Sequence, residues 1–246
     1  MLLSYWVGRV KGAHCTMIPD SLFHASRPIY FEHDDEEEYP YFGLGTFFLC
    51  AWRGRHFAVT ASHVLKGRSG SSVRFLAHDT SNWFLPTDLY SAPEGEGVGC
   101  GDIVIWRIAE DAPSGNWRND CLPLDAASIR PGPAMYVTGA RLAITGYPCQ
   151  ERNIDYSDKR LRHCRVILPA RYLGQSDFGY DHVHKMRLTA RAIITDLNGF
   201  SGSPVLAEAP AHGWGFAGVA IMGHASEGNV HFIDGALVYH ALAQLT

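Results

Sequence analysis

The chain has 246 residues, 46% of them hydrophobic, which suits one or two domains with a substantial core. A formal net charge of -4 and a pI near 6.3 exclude the basic footprint of a nucleic-acid binder. No apolar run reaches the roughly 18 residues a membrane helix needs, so neither nucleic acid nor membrane is expected as a partner.

The opening stretch MLLSYWVGRVKG lacks a charged segment ahead of a long apolar one and does not read as a signal peptide. Cys15, Cys50, Cys100, Cys121, Cys149 and Cys164 form no CxxC pair and no tight framework. Reduced thiols and a cytoplasmic location are the simpler expectation. Residues 1–40 read as a peripheral extension. Within it, His33 to Pro40 (HDDEEEYP) is a charge run that suits a solvated loop. Consecutive acids without an intervening turn do not converge on one ion.

From Tyr41 the texture becomes that of β-strands. GTFFLCAW, the turn RGR and HFAVTAS read as a hairpin, followed by the short strands VRFLAH, NWFLPTDLY and GDIVIWRIA. In the last, Ile103 and Ile105 belong to one face, Val104 and Trp106 to the other. Glu110 to Pro133 is rich in Pro, Asp, Asn, Ser and Gly and reads as a connection. The second half repeats the style in AMYVTG, RLAITGYP, RVILPARYLG, KMRLTARAII, SPVLAEA and GFAGVAIMG. Leu237, Val238, Ala241 and Leu242 recur at helical spacing near the C-terminus. These elements predict two small β-barrels, residues 41–125 and 126–246, the second ending in a C-terminal α-helix.

Three segments carry chemistry. His63 lies in VTASHVL after an apolar strand, Asp102 heads GDIVIW, and Ser201 lies in NGFSGSPV. A serine hydroxyl is a weak nucleophile. It needs a base within reach, and the base needs an acceptor to fix its tautomer. The chain order His, Asp, Ser belongs to the double-barrel architecture among known Ser-His-Asp sites. An α/β-hydrolase is excluded, because Ser203 and Pro204 stand where a glycine and a helix would be needed.

TASHV, GDIVIW and GFSGSPV, in this order, with ITGYP at a strand end, resemble the trypsin-like (chymotrypsin-fold) serine peptidases, especially the compact bacterial type. The likeness covers residues 41–240. It implies an all-β fold of two six-stranded antiparallel barrels and a serine endopeptidase acting on a polypeptide substrate without a cofactor. Ser201 would be the nucleophile, His63 the general base and Asp102 its orienting acid, with the backbone N–H groups of Gly199 and Ser201 as oxyanion hole.

The departures from that family are informative. Phe200 replaces the aspartate that pairs with a cleaved N-terminus, and no IVGG start is present, so zymogen activation is not expected. Val64 replaces a cysteine, leaving Cys50 without its usual partner. By the resemblance, Thr195 would lie at the base of the primary side-chain pocket, with Ile221, Met222 and Gly223 as its lining strand. Thr195 implies a neutral or small residue before the cut. A one-residue shift would place Asp196 there and favour Arg or Lys. The GSP ending is similar to that of glutamyl endopeptidases, and with His224 it leaves an acidic preference open. Constitutive activity, activation by a protein partner and a catalytically silent binding module on the same fold are the three alternatives. His182 and His184 share a strand face but lack a third ligand, and neither Cys149 nor His163–Cys164 forms a zinc spacing, so no metal site is expected.

Overall fold

The computed structural model describes residues 20–32, 41–65, 67–68, 72–76, 83–84, 86–91, 102–109, 116–126, 133–157, 160–189, 196–209, 213–224 and 226–245. The first half contains helix α1 (Asp20–His24) and strands β1 (Ser26–Glu32), β2 (Tyr41–Trp52), β3 (Arg55–Thr60), β4 (Val73–Leu76), β5 (Trp83–Phe84), β6 (Pro86–Ser91), β7 (Val104–Ile108) and β8 (Leu122–Pro123). The second contains β9 (Arg141–Gly146), β10 (Arg152–Asp155), β11 (Arg160–His163), β12 (Val166–Gln175), β13 (Val183–Leu188), β14 (Pro204–Ala209), β15 (Gly213–His224), β16 (Asn229–Asp234) and helix α2 (Gly235–Gln244). The protein is therefore mostly β, as its sequence predicts.

The second half meets the barrel expectation, although AMYVTG, expected as a strand, is instead a tight turn at Pro133–Tyr136 followed by a second turn. β12, β13, β16, β15, β14 and β9 pair antiparallel and close, the final ladder joining β9 to β12. The first half departs from it. Its sheet has eight strands in the order β5-β4-β1-β2-β3-β7-β6, with β8 added in parallel to β2, and among the described residues this path stays open. β5 is only two residues long and continues the ladder no further than Phe84 and Trp83.

A second correction concerns residues 20–32, expected to be peripheral. β1 lies inside the sheet between β2 and β4, and Ile29, Tyr30 and Phe31 are fully buried. Pro28 hides this strand in the sequence, since proline cannot donate to a ladder. The structure accommodates it with a register shift between Pro28 and Tyr30. Buried Arg27 is neutralised by Asp120 at 2.6 Å. The charge run His33–Pro40 lies outside the described residues.

The period-2 pattern divides the core. On β2, Phe47 and Leu49 face a cluster with Val73, Phe75 and Trp106, whereas Phe48 and Cys50 face Leu206, Phe216 and Ile233 of the other half. On β7, Ile105 joins the second cluster, together with Ile103 just before the strand, while Val104 and Trp106 join the first. One continuous core thus joins the two halves and fixes their separation. Helix α2 begins where Asp234 caps the Ala236 N–H at 2.8 Å, and it buries Val238, Ala241 and Leu242. Cys50, Cys121, Cys149 and Cys164 form no disulfide among the described residues. Burial pushes the Cys121 thiol up to about 12 and Cys50 well above the ordinary thiol value. Among the described residues no helix is long and apolar enough to cross a membrane.

Candidate active site

β3 and β7 are antiparallel neighbours, with Thr60 opposite Val104. The chain leaving β3 and the chain entering β7 therefore share one end of the pair, which brings His63 to Asp102. His63 sits in the tight turn Ser62–Leu65, anchored by buried Val64 and Leu65. Asp102 Oδ2 lies 2.7 Å from His63 Nδ1. Its Oδ1 accepts the His63 N–H at 2.9 Å and the Ser62 hydroxyl at 2.7 Å. Burial opposes ionisation of Asp102. The hydrogen bond from the His63 ring, the His63 charge and the bonds from Ser62 and the His63 backbone outweigh it and hold the carboxyl below its ordinary value. The His63 side chain is 44% exposed against 19% for Asp102, so the pair is gripped on one side and open on the other. With Nδ1 donating to the carboxylate, a neutral imidazole leaves Nε2 free to accept a proton.

Ser201 comes from a turn between Asp196 and β14 that two glycines make possible. Gly199 has φ +98°, and a Cβ there would overlap the Tyr147 carbonyl and stand 2.7 Å from the Cys149 nitrogen. Gly202 has φ +85°, and a Cβ would overlap the Thr60 hydroxyl and the Thr46 carbonyl. The turn thus packs on β2 and β3, three residues before His63. The Ser201 hydroxyl donates to the Ile221 carbonyl at 3.1 Å. Among the described residues it makes no hydrogen bond to His63.

A trans peptide points its carbonyl and its next N–H in opposite directions. The Asn198 carbonyl accepts from the Cys149 N–H at 2.9 Å, so the Gly199 N–H points away from Cys149. The Phe200 carbonyl accepts from the Ser203 N–H at 2.9 Å, which turns the Ser201 N–H away from Ser203. Neither the Gly199 nor the Ser201 N–H has an acceptor among the described residues. Phe200 itself is buried in the barrel interior with Leu197, Val205 and Val230, so packing holds this position.

Thr46 was not singled out by its sequence context, yet every polar group it carries holds this region. Its hydroxyl donates to the Gly199 carbonyl at 2.6 Å and accepts the Tyr147 N–H at 3.0 Å. Its N–H donates to the Ser201 carbonyl at 2.8 Å, and its carbonyl accepts the Thr60 hydroxyl at 2.7 Å. The available signal was a lone hydroxyl in the apolar run GTFFLCAW, since a buried hydroxyl demands partners. Thr46→Val would strand two buried groups, at about 1–3 kcal/mol each. We expect it to lower both the melting temperature and, by more than tenfold, the reactivity of Ser201, with Thr46→Ser restoring both. Unchanged Ser201 reactivity in a destabilised Thr46→Val would reduce Thr46 to a purely structural role.

The residues expected to line a side-chain pocket divide. Thr195 lies outside the described residues. The Asp196 carboxylate folds back onto Asn198, accepting from its N–H at 2.9 Å and its Nδ2 at 2.7 Å. Met222 and Gly223 line a cavity beside Ser201 together with Leu197, Phe200, Ala220 and Val230. Ile221 contributes its carbonyl, while its side chain packs on the core. His224 is outside this lining and meets His231 edge-on at 6.3 Å between ring centroids. Of the histidine pair, His184 is engaged at both ring nitrogens, by Tyr172 at 2.8 Å and Asp234 at 3.3 Å. Among the described residues no three His, Cys, Asp or Glu side chains form a metal-binding group.

No protein-family model and no curated protein matches this sequence.

Proposed function

We propose that the chain is a serine endopeptidase of the trypsin-like, chymotrypsin-fold type. The observation that supports this best is the His63–Asp102 pair, held by three bonds to one carboxylate at the end of β3 on which the Ser201 turn packs. In the reaction, the Ser201 hydroxyl attacks the carbonyl carbon of a peptide bond while His63 Nε2 takes its proton. The resulting oxyanion accepts bonds from the Gly199 and Ser201 N–H groups. Collapse breaks the C–N bond, and His63 returns the proton to the leaving amine. Water, activated by the same imidazole, then releases the acyl group from Ser201. Asp102 holds the ring and stabilises the imidazolium.

One observation favours a gated form of this activity, released by a protein partner or by the substrate itself. The Ser201 hydroxyl donates to the Ile221 carbonyl rather than to His63, and attack requires that this bond be given up so that the hydroxyl can donate to the imidazole. A fluorophosphonate probe tests the proposal. Modification of Ser201 in the isolated protein, absent in His63→Ala, is the expected result for a competent triad. Modification only after addition of a partner would identify the gated enzyme. A folded protein inert under all conditions would leave the silent binding module.

A further inference from the structure

The cavity beside Ser201 is small, and apart from Ser201 the side chains that line it are apolar. Its volume is about 10 Å³, room for about one water molecule or one methyl group. The described lining carries no charge, and its only polar side chain is Ser201 itself.

Leu197 limits its size. Starting from the Ser201 turn, its side chain reaches across to β15. A Cβ on Gly223 would stand 2.6 Å from Leu197 Cδ1 and 3.1 Å from Leu197 Cβ. Leu197 is itself buried, at 7% exposure, in the barrel interior with Phe200, Ala220 and Val230. It therefore occupies the space over Gly223 that a larger substrate side chain would enter. The two charged alternatives considered from the sequence lie elsewhere. Asp196 is engaged by Asn198, and His224 is outside the lining.

We infer that Leu197 restricts the residue on the acyl side of the cleaved bond to one with a very short apolar side chain, alanine above all. This rests on the peptidase reading. Glycine leaves the cavity empty, whereas valine, leucine and phenylalanine collide with Leu197. Arginine, lysine and glutamate would also bury a charge without a partner. One methylene in such a site changes kcat/KM by about 10- to 200-fold.

The test is a peptide series in which only that residue varies among Gly, Ala, Val, Leu, Phe, Glu and Arg, cut by the full chain, with fluorophosphonate modification of Ser201 measured in parallel. Alanine should exceed glycine by about tenfold, and phenylalanine, glutamate and arginine by at least about 100-fold. Leu197→Ala should move the optimum to valine or leucine. The wild-type profile decides the matter even if that variant folds poorly. A wild-type preference for Phe, Arg or Glu with Ser201 reactive would overturn the inference and leave the peptidase reading standing. Absence of both cleavage and Ser201 modification under all conditions, with a partner added as well as without, would overturn the two together.

Discussion

Ser201→Ala is expected to abolish peptide hydrolysis while the protein stays folded. Removing the nucleophile of a triad costs on the order of 10⁶ in turnover, because base and acid then have nothing to activate. The structural cost is small by comparison. The Ser201 hydroxyl makes one bond, to the Ile221 carbonyl, and the loss of one such bond is worth about 1 kcal/mol. The backbone bonds that shape the turn, from Thr46 to the Ser201 carbonyl and from Gly202 to Ala220, do not involve the side chain. Thermal melting and kcat/KM on the same preparation check this. Residual activity within tenfold of the wild type would remove Ser201 as nucleophile.

Asp102→Asn should lower turnover by about 10⁴-fold. An amide can still accept from the Ser62 hydroxyl and the His63 N–H. Its NH₂ group, facing His63 Nδ1, forces that nitrogen to accept, so Nε2 carries the hydrogen and cannot take the proton from Ser201. The geometry survives and the tautomer is wrong. The same substitution has a stability signature. The folded-state value of Asp102 lies below its unfolded value of about 3.9. Its contribution is therefore complete above that pH and is lost as pH falls through the lower folded value, where the wild type binds a proton more readily unfolded. Denaturant midpoints measured from pH 5 downward should show a shallower acid decline in Asp102→Asn. An identical decline in both proteins would mean that the carboxylate is not held by His63 and Ser62 as described.

One contact of the candidate site was legible in the sequence. TASHV and GDIVIW announced a histidine and an aspartate at strand ends, and these two are in contact. Alternation on β7 gave the correct faces for Ile103, Val104, Ile105 and Trp106, and helical spacing located α2. Strand β1 was not legible, because Pro28 and the nearby charge run both argue against a buried strand, and only pairing with β2 and β4 overrides them.

What the sequence by itself determined is therefore the strands with strict alternation, the terminal helix and the pairing of His63 with Asp102, all signalled by a few adjacent residues. Only the tertiary structure decided that one half closes as a barrel while the described strands of the other form an open eight-stranded sheet. It alone decided that Thr46 bolts the Ser201 turn to the other half, that Asp196 turns back onto Asn198, and that Leu197 fills the space over Gly223. Those outcomes depend on closure, on register and on the volume left between side chains far apart in the chain. Such quantities exist only once the core has packed, because a spacing motif specifies which atoms are present and not how much room surrounds them.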